Sequence, residues 1–401
     1  MRRKQLGVAR RVRACEAVSA ARGRKPQPKL GNRPVKIAYL ARALIPSRDA
    51  MSIHIMRMCR AFAEDGHDVQ LLTPALPGTE AGIEDPHGYY GVANNFEIIR
   101  IPWLGVKGSD LIYSVSAVRQ CRRLGVQVAY GRHLEGCWAA AVAGLPVVFE
   151  THSSTEHLSR LRKILLAALL RRTELRRLVV ISEALKRYFV NRHNVPPSRI
   201  LVAHDAADPS PRYERLRLGG GTALRVGYAG HLYPGKGMEV IEQLVSLCTF
   251  AEFHVIGGRG EDLAYWQGRV GTNGNLKFHG FVEPARVAQY LQSMDVLLAP
   301  FQRTVMIMGK LDVGQWMSPL KVFEYMAARR PMVISDLPVL REVVNERNAM
   351  IVPADDPEQW RQALVQLQNP VLRERLAEAA HEDFLRSYTW TARAQAVLRG
   401  L

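Results

Sequence analysis

Residues 318–343 read SPLKVFEYMAARRPMVISDLPVLREV, and the order of element types in this stretch decides the fold class. Proline is favoured in the first turn of a helix, so a helix is expected to open near Pro319 after a turn at Ser318 and to run through Ala328. Pro331–Ser335 is a short apolar run of the kind that forms a buried strand. Asp336 is placed to cap a further helix. Helix, apolar strand and helix in succession belong to a parallel sheet covered by helices on its faces. Glu324 falls one turn into the first helix. A carboxylate there can accept hydrogen bonds from the two vicinal hydroxyls of a ribose, although a Glu that merely complements the helix dipole gives the same pattern.

The same alternation extends in both directions. Upstream come apolar runs at 224–229, 252–256, 276–279 and 296–299, with helical segments between them. Before these, the Pro- and Gly-rich segment 207–222 reads as a linker. A second alternating set precedes it: Lys36–Ala41, Val69–Thr73, Ile98–Ile101, Val126–Tyr130, Val147–Thr151 and Val179–Ser182, with a helix expected over 52–65. Two α/β halves joined by one linker leave a cleft, and in such sheets ligands sit beyond the carboxyl ends of the strands. Residues just after strands are therefore the site candidates.

One such segment is Gly230-His-Leu-Tyr-Pro-Gly-Lys-Gly237, between the strand ending at Ala229 and a helix. Glycines allow close backbone approach, a helix N-terminus offers free N–H groups to an anion, and Lys236 adds a point charge for a phosphate. The spacing is neither a Walker loop nor G-x-G-x-x-G. Alone, it reads equally as a surface turn with a solvated lysine.

Composition narrows the class. The chain has 401 residues, 47% of them hydrophobic and 23% charged, enough to bury two or three cores. Its five cysteines (Cys15, Cys59, Cys121, Cys137 and Cys248) form no C-x-x-C pair, so no zinc site or disulfide framework is expected and a reducing, cytoplasmic setting fits. The net charge is +18. Residues 1–33 and 158–178 together carry 16 of these charges, so the protein is not a uniformly basic nucleic-acid binder and no nucleic-acid partner is expected. Residues 1–33 read as a disordered basic tail; a mis-set start is the mundane account of it and a membrane or nucleic-acid tether the sharper one. No run approaches the ~20 apolar residues that span a bilayer. Segment 158–178 has an apolar centre, Ile164–Leu170, between basic ends. On a helical wheel Leu161, Ile164, Leu165 and Ala168 share a face that Arg172 interrupts. It reads either as a core helix with solvated ends or as a docking element for anionic lipid on the inner face of a membrane.

The run 318–343 resembles the donor-binding signature of retaining family 4 GT-B glycosyltransferases. GHLYPGKG resembles that family's phosphate loop and DVLLAPF its next donor-side strand. SIHIMRMCRAFAEDGHDV, YGRHLEG, VVFETHS and VVISEALKRYF resemble its acceptor domain. The resemblance covers about residues 35–400. It implies the GT-B fold: an acceptor-binding Rossmann-like domain over 34–206, a linker over 207–222, and a nucleotide-sugar-binding Rossmann-like domain over 223–385. A C-terminal helix over 386–401 would be able to cross back to the first domain.

What the resemblance implies for residues is specific. Glu324 matches the second Glu of the family's E-x7-E motif, on the nucleotide ribose. The first would fall at 316, where this chain has Trp316, so the usual contact to the donor sugar is in doubt and the turn Ser318–Leu320 is expected to offer backbone contacts instead. Lys236 matches the phosphate-binding lysine, with His231 near the expected arginine. His152 matches the histidine that touches the transferred sugar. His152, Lys236 and Glu324 are thus the implied catalytic residues. Gly230, His231, Gly235, Lys236, Ser318, Pro319, Leu320, Lys321 and Glu324 form the donor site, with Ser52, His54, Arg132 and Glu150 on the acceptor side. The co-substrate is a nucleoside-diphosphate sugar and no other cofactor is implied. The sequence has no D-x-D, so no metal is expected, and Lys236, helix dipoles and backbone N–H groups are left to neutralise the departing diphosphate. The implied activity is retaining transfer to a glycan or lipid-linked acceptor in cell-surface polysaccharide synthesis. A sugar-nucleotide epimerase and a catalytically degenerate binding scaffold are the rival readings.

Overall fold

The computed structural model of the protein describes residues 34–76, 83–218, 223–258, 260–271, 274–307 and 311–401. The basic segment 1–33 and part of the expected linker lie outside these residues.

The first half begins with strand β1 (Lys36–Leu40), helix α1 (Ala50–Glu64) and strand β2 (Asp68–Pro74). A short helix α2 (Pro86–Tyr90) leads to strand β3 (Glu97–Ile101), helix α3 (Ser109–Leu124), strand β4 (Val128–Gly131) and helix α4 (Leu134–Val142). Strand β5 (Val147–Thr151), helix α5 (Arg160–Arg171), strand β6 (Leu175–Val180), helix α6 (Glu183–His193) and strand β7 (Ile200–Val202) complete it. The seven strands form one sheet in the order β3-β2-β1-β4-β5-β6-β7, with every pairing parallel. The central strands are apolar on both faces because helices cover both, so their sequences run apolar rather than alternate.

The second half repeats the plan. Strand β8 (Leu224–Ala229), helix α7 (Met238–Leu247), strand β9 (Ala251–Ile256), helix α8 (Gly260–Val270), strand β10 (Leu276–Gly280), helix α9 (Pro284–Gln292) and strand β11 (Val296–Ala299) follow one another. After a small hairpin, β12 (Met306–Ile307) and β13 (Leu311–Asp312), come helix α10 (Leu320–Ala327) and strands β14 (Met332–Ser335) and β15 (Met350–Val352). The six-stranded sheet is parallel, in the order β10-β9-β8-β11-β14-β15. Helices α11 (Pro357–Gln366), α12 (Pro370–Ser387) and α13 (Trp390–Leu398) close the chain. These are the two Rossmann-like α/β domains of the GT-B fold.

Helix α13 packs in the other half: Trp390, Ala394, Val397 and Leu398 are buried in the same cluster as Ile55, Met58 and Phe62 of α1. Ala207 and Thr389 pair as an isolated parallel bridge, so the two crossings between halves run side by side.

Two local expectations are corrected. Residues 338–343 form successive turns and not a helix, and the Asp336 carboxylate accepts from Arg341 at 2.7 and 2.9 Å rather than capping one. Segment 158–178 is not one helix: α5 ends at Arg171 and β6 begins at Leu175. The buried face of α5 is Leu166, Leu169 and Leu170, while Leu161 and Ile164 stand exposed at 66% and 65%.

Candidate active site

On the donor side, β8 delivers the chain to Gly230, whose φ of +140° suits glycine. A Cβ there would lie 3.2 Å from Lys321 Nζ, so the missing side chain is what admits that lysine. Lys321 is the second residue of α10 and is buried. Its ammonium sits 3.6 Å from the Tyr228 ring centroid and 4.9 Å from that of Phe301, and has no hydrogen-bond partner. Lys236 Nζ lies 5.5 Å from the same Phe301 ring. Burial lowers the Lys236 pKa to about 8; burial and the nearby Lys236 charge push Lys321 well below its ordinary value. Two desolvated ammonium groups flanking one aromatic ring at the start of a helix make a place for a polyanion.

Glu324 lies one turn further along α10. Burial raises its pKa, opposed by the nearby charges of Arg57 and Lys321. Arg57 belongs to α1 and with Arg60 pairs with Asp208, so the donor-side carboxylate sits within the field of the opposite domain. Pro319 is the N-cap residue of α10, and Leu320, its first residue, packs against the N-terminal core. The Ser318 hydroxyl accepts from the Asp205 backbone N–H at 2.8 Å, across the cleft. His231 stacks on Tyr233 with ring centroids 4.9 Å apart and planes nearly parallel. Gly235 holds φ +83°, and a Cβ there would come within 2.1 Å of the Thr304 carbonyl oxygen.

Trp316, at the position of the absent motif Glu, turns away from this pocket. Its ring is 5.4 Å from that of Tyr188, it packs on the N-terminal core, and its carbonyl accepts from Ser182 Oγ at 3.1 Å. Close by, the Glu342 carboxylate accepts the backbone N–H groups of Glu183 and Ala184 at 2.8 and 3.2 Å, capping α6 from the opposite domain. The carboxyl end of the 318–343 signature is thus an interdomain contact, which no local pattern announces.

On the acceptor side the centre is Glu150, wholly buried at the end of β5. His152 Nε2 lies 2.5 Å from its Oε1 and His54 Nε2 3.1 Å from the same atom. Tyr130 Oη donates to Oε2. Arg393 of α13 donates to both oxygens, at 2.9 and 3.3 Å. His54 Nε2 also lies 3.4 Å from Asp205 Oδ1. Burial lowers the His54 pKa to about 4 and pushes His152 well below its ordinary value, so both imidazoles are neutral near pH 7. Burial raises the Asp205 pKa to about 7. Arg132 is half-buried between β4 and α4 and contributes positive charge to this cluster. Ser52 is buried and its hydroxyl is used within the fold, donating to the Leu44 carbonyl at 2.8 Å and bonded to Ser47 Oγ at 2.9 Å. It shapes the loop before α1 and offers no free group to an acceptor.

His54, Glu150 and His152 place their ligand atoms within 4.8 Å of one another, close enough to hold an ion. The donor set argues otherwise: both Glu150 oxygens already accept from Arg393 and Tyr130, and the guanidinium sets a positive charge against the carboxylate that an ion would need.

Comparison with known proteins agrees with this geometry. Residues 51–210 match the model described as Glycosyltransferase Family 4, and residues 223–369 match that of Glycosyl transferases group 1. The chain belongs to glycosyltransferase family 4. A phosphatidyl-myo-inositol mannosyltransferase of Mycobacterium leprae is 27% identical over 374 residues, covering 86% of this family 4 chain and 91% of the relative. That of Mycolicibacterium smegmatis is 24% identical, covering 86% and 88%. Among solved structures, Anabaena HepE in complex with UDP superposes with a TM-score of 0.70 at 14% identity, over 90% of this chain and 98% of that one. Sucrose-phosphate synthase of Thermosynechococcus elongatus gives 0.68 at 17%, over 90% and 96%. This family 4 chain is therefore a glycosyltransferase of the GT-B fold. No helix among its described residues is long and apolar enough to cross a membrane.

The sequence pointed to Lys236, Lys321, Glu324, His152, His54 and Glu150. It gave no sign of Arg393, which lies 243 residues from Glu150. Tyr130 reads in sequence as an ordinary strand residue.

Proposed function

We propose that the protein transfers a sugar, with retention and without a metal, from a nucleoside-diphosphate sugar to a glycan or lipid-linked acceptor in cell-surface polysaccharide synthesis. The observation that carries this reading is the pair Lys236 and Lys321 beside Phe301, one half-buried and one buried cation, with no carboxylate among the described residues bonded to either. A diphosphate supplies the missing counter-charge, and preorganised cations stabilise it most as it departs. Glu324 holds the ribose hydroxyls. Glu150 has both oxygens engaged by Tyr130 and Arg393, which speaks against its serving as a nucleophile. That favours same-face transfer, in which the departing phosphate oxygen takes the proton of the acceptor hydroxyl. The test is release of UDP or GDP from a panel of nucleotide sugars: loss of turnover in Lys236→Ala and Glu324→Ala supports the site, and unchanged release refutes it. Nucleotide binding without turnover on any acceptor would favour a binding scaffold.

A membrane-borne acceptor is favoured by one surface. Leu161 and Ile164 of α5, and Leu104, Val106, Leu111, Ile112 and Val115 in and before α3, are all exposed. Arg162 of α5 lies 2.5 Å from Glu135 of α4 and 3.6 Å from Asp110 of α3, so the N-termini of three helices meet there. Arg160, Lys163 and Arg171 are exposed basic residues of the helix that carries Leu161 and Ile164. Arg172 and Arg177 do not take part, because they bond to Glu174 and to the carbonyls ending α13. Anionic lipid attracts ~1 kcal/mol per basic residue near its surface. Changing Arg160, Lys163 and Arg171 to Glu should abolish co-sedimentation with anionic vesicles; undiminished binding excludes this surface.

A further inference from the structure

Four separate elements bring an ionisable side chain to Glu150: α1 (His54), β4 (Tyr130), the turn after β5 (His152) and α13 (Arg393); Asp205, in the turn after β7, approaches His54. Only one of these groups carries a permanent positive charge in contact with the carboxylate. Arg393 is 3% exposed, and its donors are all engaged. Nε donates to the His204 carbonyl at 2.9 Å, Nη2 to the Ala203 carbonyl at 3.2 Å and to Glu150, and Nη1 to Glu150 and Met58 Sδ at 3.3 Å. A guanidinium so held cannot rotate and does not lose its proton. A carboxylate buried without a counter-ion would take up a proton; beside Arg393, Glu150 stays an anion and its pKa lies well below the usual range.

An anionic carboxylate can only accept. His152, neutral and bonded to Glu150 through Nε2, must therefore carry its proton on Nε2, which leaves Nδ1 with a lone pair and no proton. On an imidazole the two nitrogens face nearly opposite ways, so Nδ1 is directed away from the carboxylate. The ring keeps 17% side-chain exposure, unlike His54 at 2%. The geometry points to Arg393 as a positioning residue: from the last helix of the chain it holds Glu150 ionised, and Glu150 fixes the His152 tautomer that presents a hydrogen-bond acceptor, not a donor, to a substrate hydroxyl. This rests on the assignment of His152 to the substrate side of a glycosyltransferase site.

Arg393→Met removes the charge and leaves Glu150 to take up a proton. The new carboxyl O–H donates to Nε2, the proton of His152 moves to Nδ1, and the polarity offered to substrate inverts. Arg393→Lys keeps the charge. In the full-length protein labelled with nitrogen-15 histidine, the His152 signal is assigned with His152→Asn. The wild type and Arg393→Lys are expected to show a protonated Nε2 and bare Nδ1, and Arg393→Met the reverse. Turnover of nucleotide sugar in Arg393→Met should fall ~10²-fold in kcat, the scale of a mispositioned site group, with KM for the donor and UDP or GDP affinity within about twofold. Where Arg393→Met does not fold, the pair Arg393→Met with Glu150→Gln buries no charge. Its amide can present oxygen or N–H to His152, so a mixture of tautomers and a reduced kcat are expected. A folded variant of either kind with the wild-type tautomer and wild-type kcat overturns the inference. The tautomer is read in the free protein, so it decides the point even if no nucleotide sugar is turned over.

Discussion

Lys321→Met separates binding chemistry from stability, because the two should move in opposite directions. In the free protein the Lys321 ammonium is buried without a hydrogen-bond partner, with only the rings of Tyr228 and Phe301 to compensate it. A buried charge left without a counter-charge costs about 3–5 kcal/mol. A desolvated cation over an aromatic ring recovers ~2 kcal/mol or more. The net burden is therefore at most ~1–3 kcal/mol, and methionine, of similar length and apolar, removes it. At about 2–4 °C per kcal/mol for a domain of 150–250 residues, Tm should rise, by up to ~12 °C. The same change removes a charged hydrogen bond to the diphosphate, worth about 1.5–3 kcal/mol, so UDP or GDP should bind ~10- to 100-fold more weakly. The assay is thermal unfolding with and without nucleotide. At a concentration 100 times the wild-type Kd, bound nucleotide stabilises the wild type by ~2.7 kcal/mol; a 30-fold weaker variant keeps ~0.9 kcal/mol. A variant less stable than wild type when free, or one with an undiminished nucleotide response, refutes the reasoning.

Nucleotide binding should take up protons. Lys236 has its pKa lowered to about 8, and a bound diphosphate favours its ammonium form. That part of the affinity is then fully present where free Lys236 is already charged and falls as pH rises through about 8 and beyond. Calorimetry in two buffers of different ionisation enthalpy reads this directly, and identical heats would contradict it. Gly235→Ala must accept φ +83° and a Cβ 2.1 Å from a carbonyl oxygen, so it should cost at least ~1–3 kcal/mol in thermal unfolding. Glu342→Ala deletes a carboxylate that caps α6 across the cleft; a loss of ~1 kcal/mol and faster proteolysis of the linker region are expected, and unchanged values would mean the contact carries nothing.

Much of this protein can be read along the chain. The alternation of apolar runs and helical segments is local, because a strand covered on both faces must be apolar throughout, so both parallel sheets follow from it. Glycines at 230 and 235, Lys236 after them, and Lys321 and Glu324 one turn apart in α10 are also local: a phosphate loop and a helix start are built within a few residues. The sequence by itself therefore determined the two α/β domains and the family, and named Lys236, Lys321 and Glu324 as donor-site candidates. Only the tertiary structure decided the state of the cluster around Glu150. Glu150 remains an anion because Arg393 arrives from the last helix; His152 has its tautomer because Glu150 is an anion; and Trp316 leaves the donor pocket because the opposite domain offers Tyr188 and Ser182. Each of these depends on contacts between distant residues, and in a low-dielectric interior the charge of a group is set by those neighbours rather than by its place in the sequence.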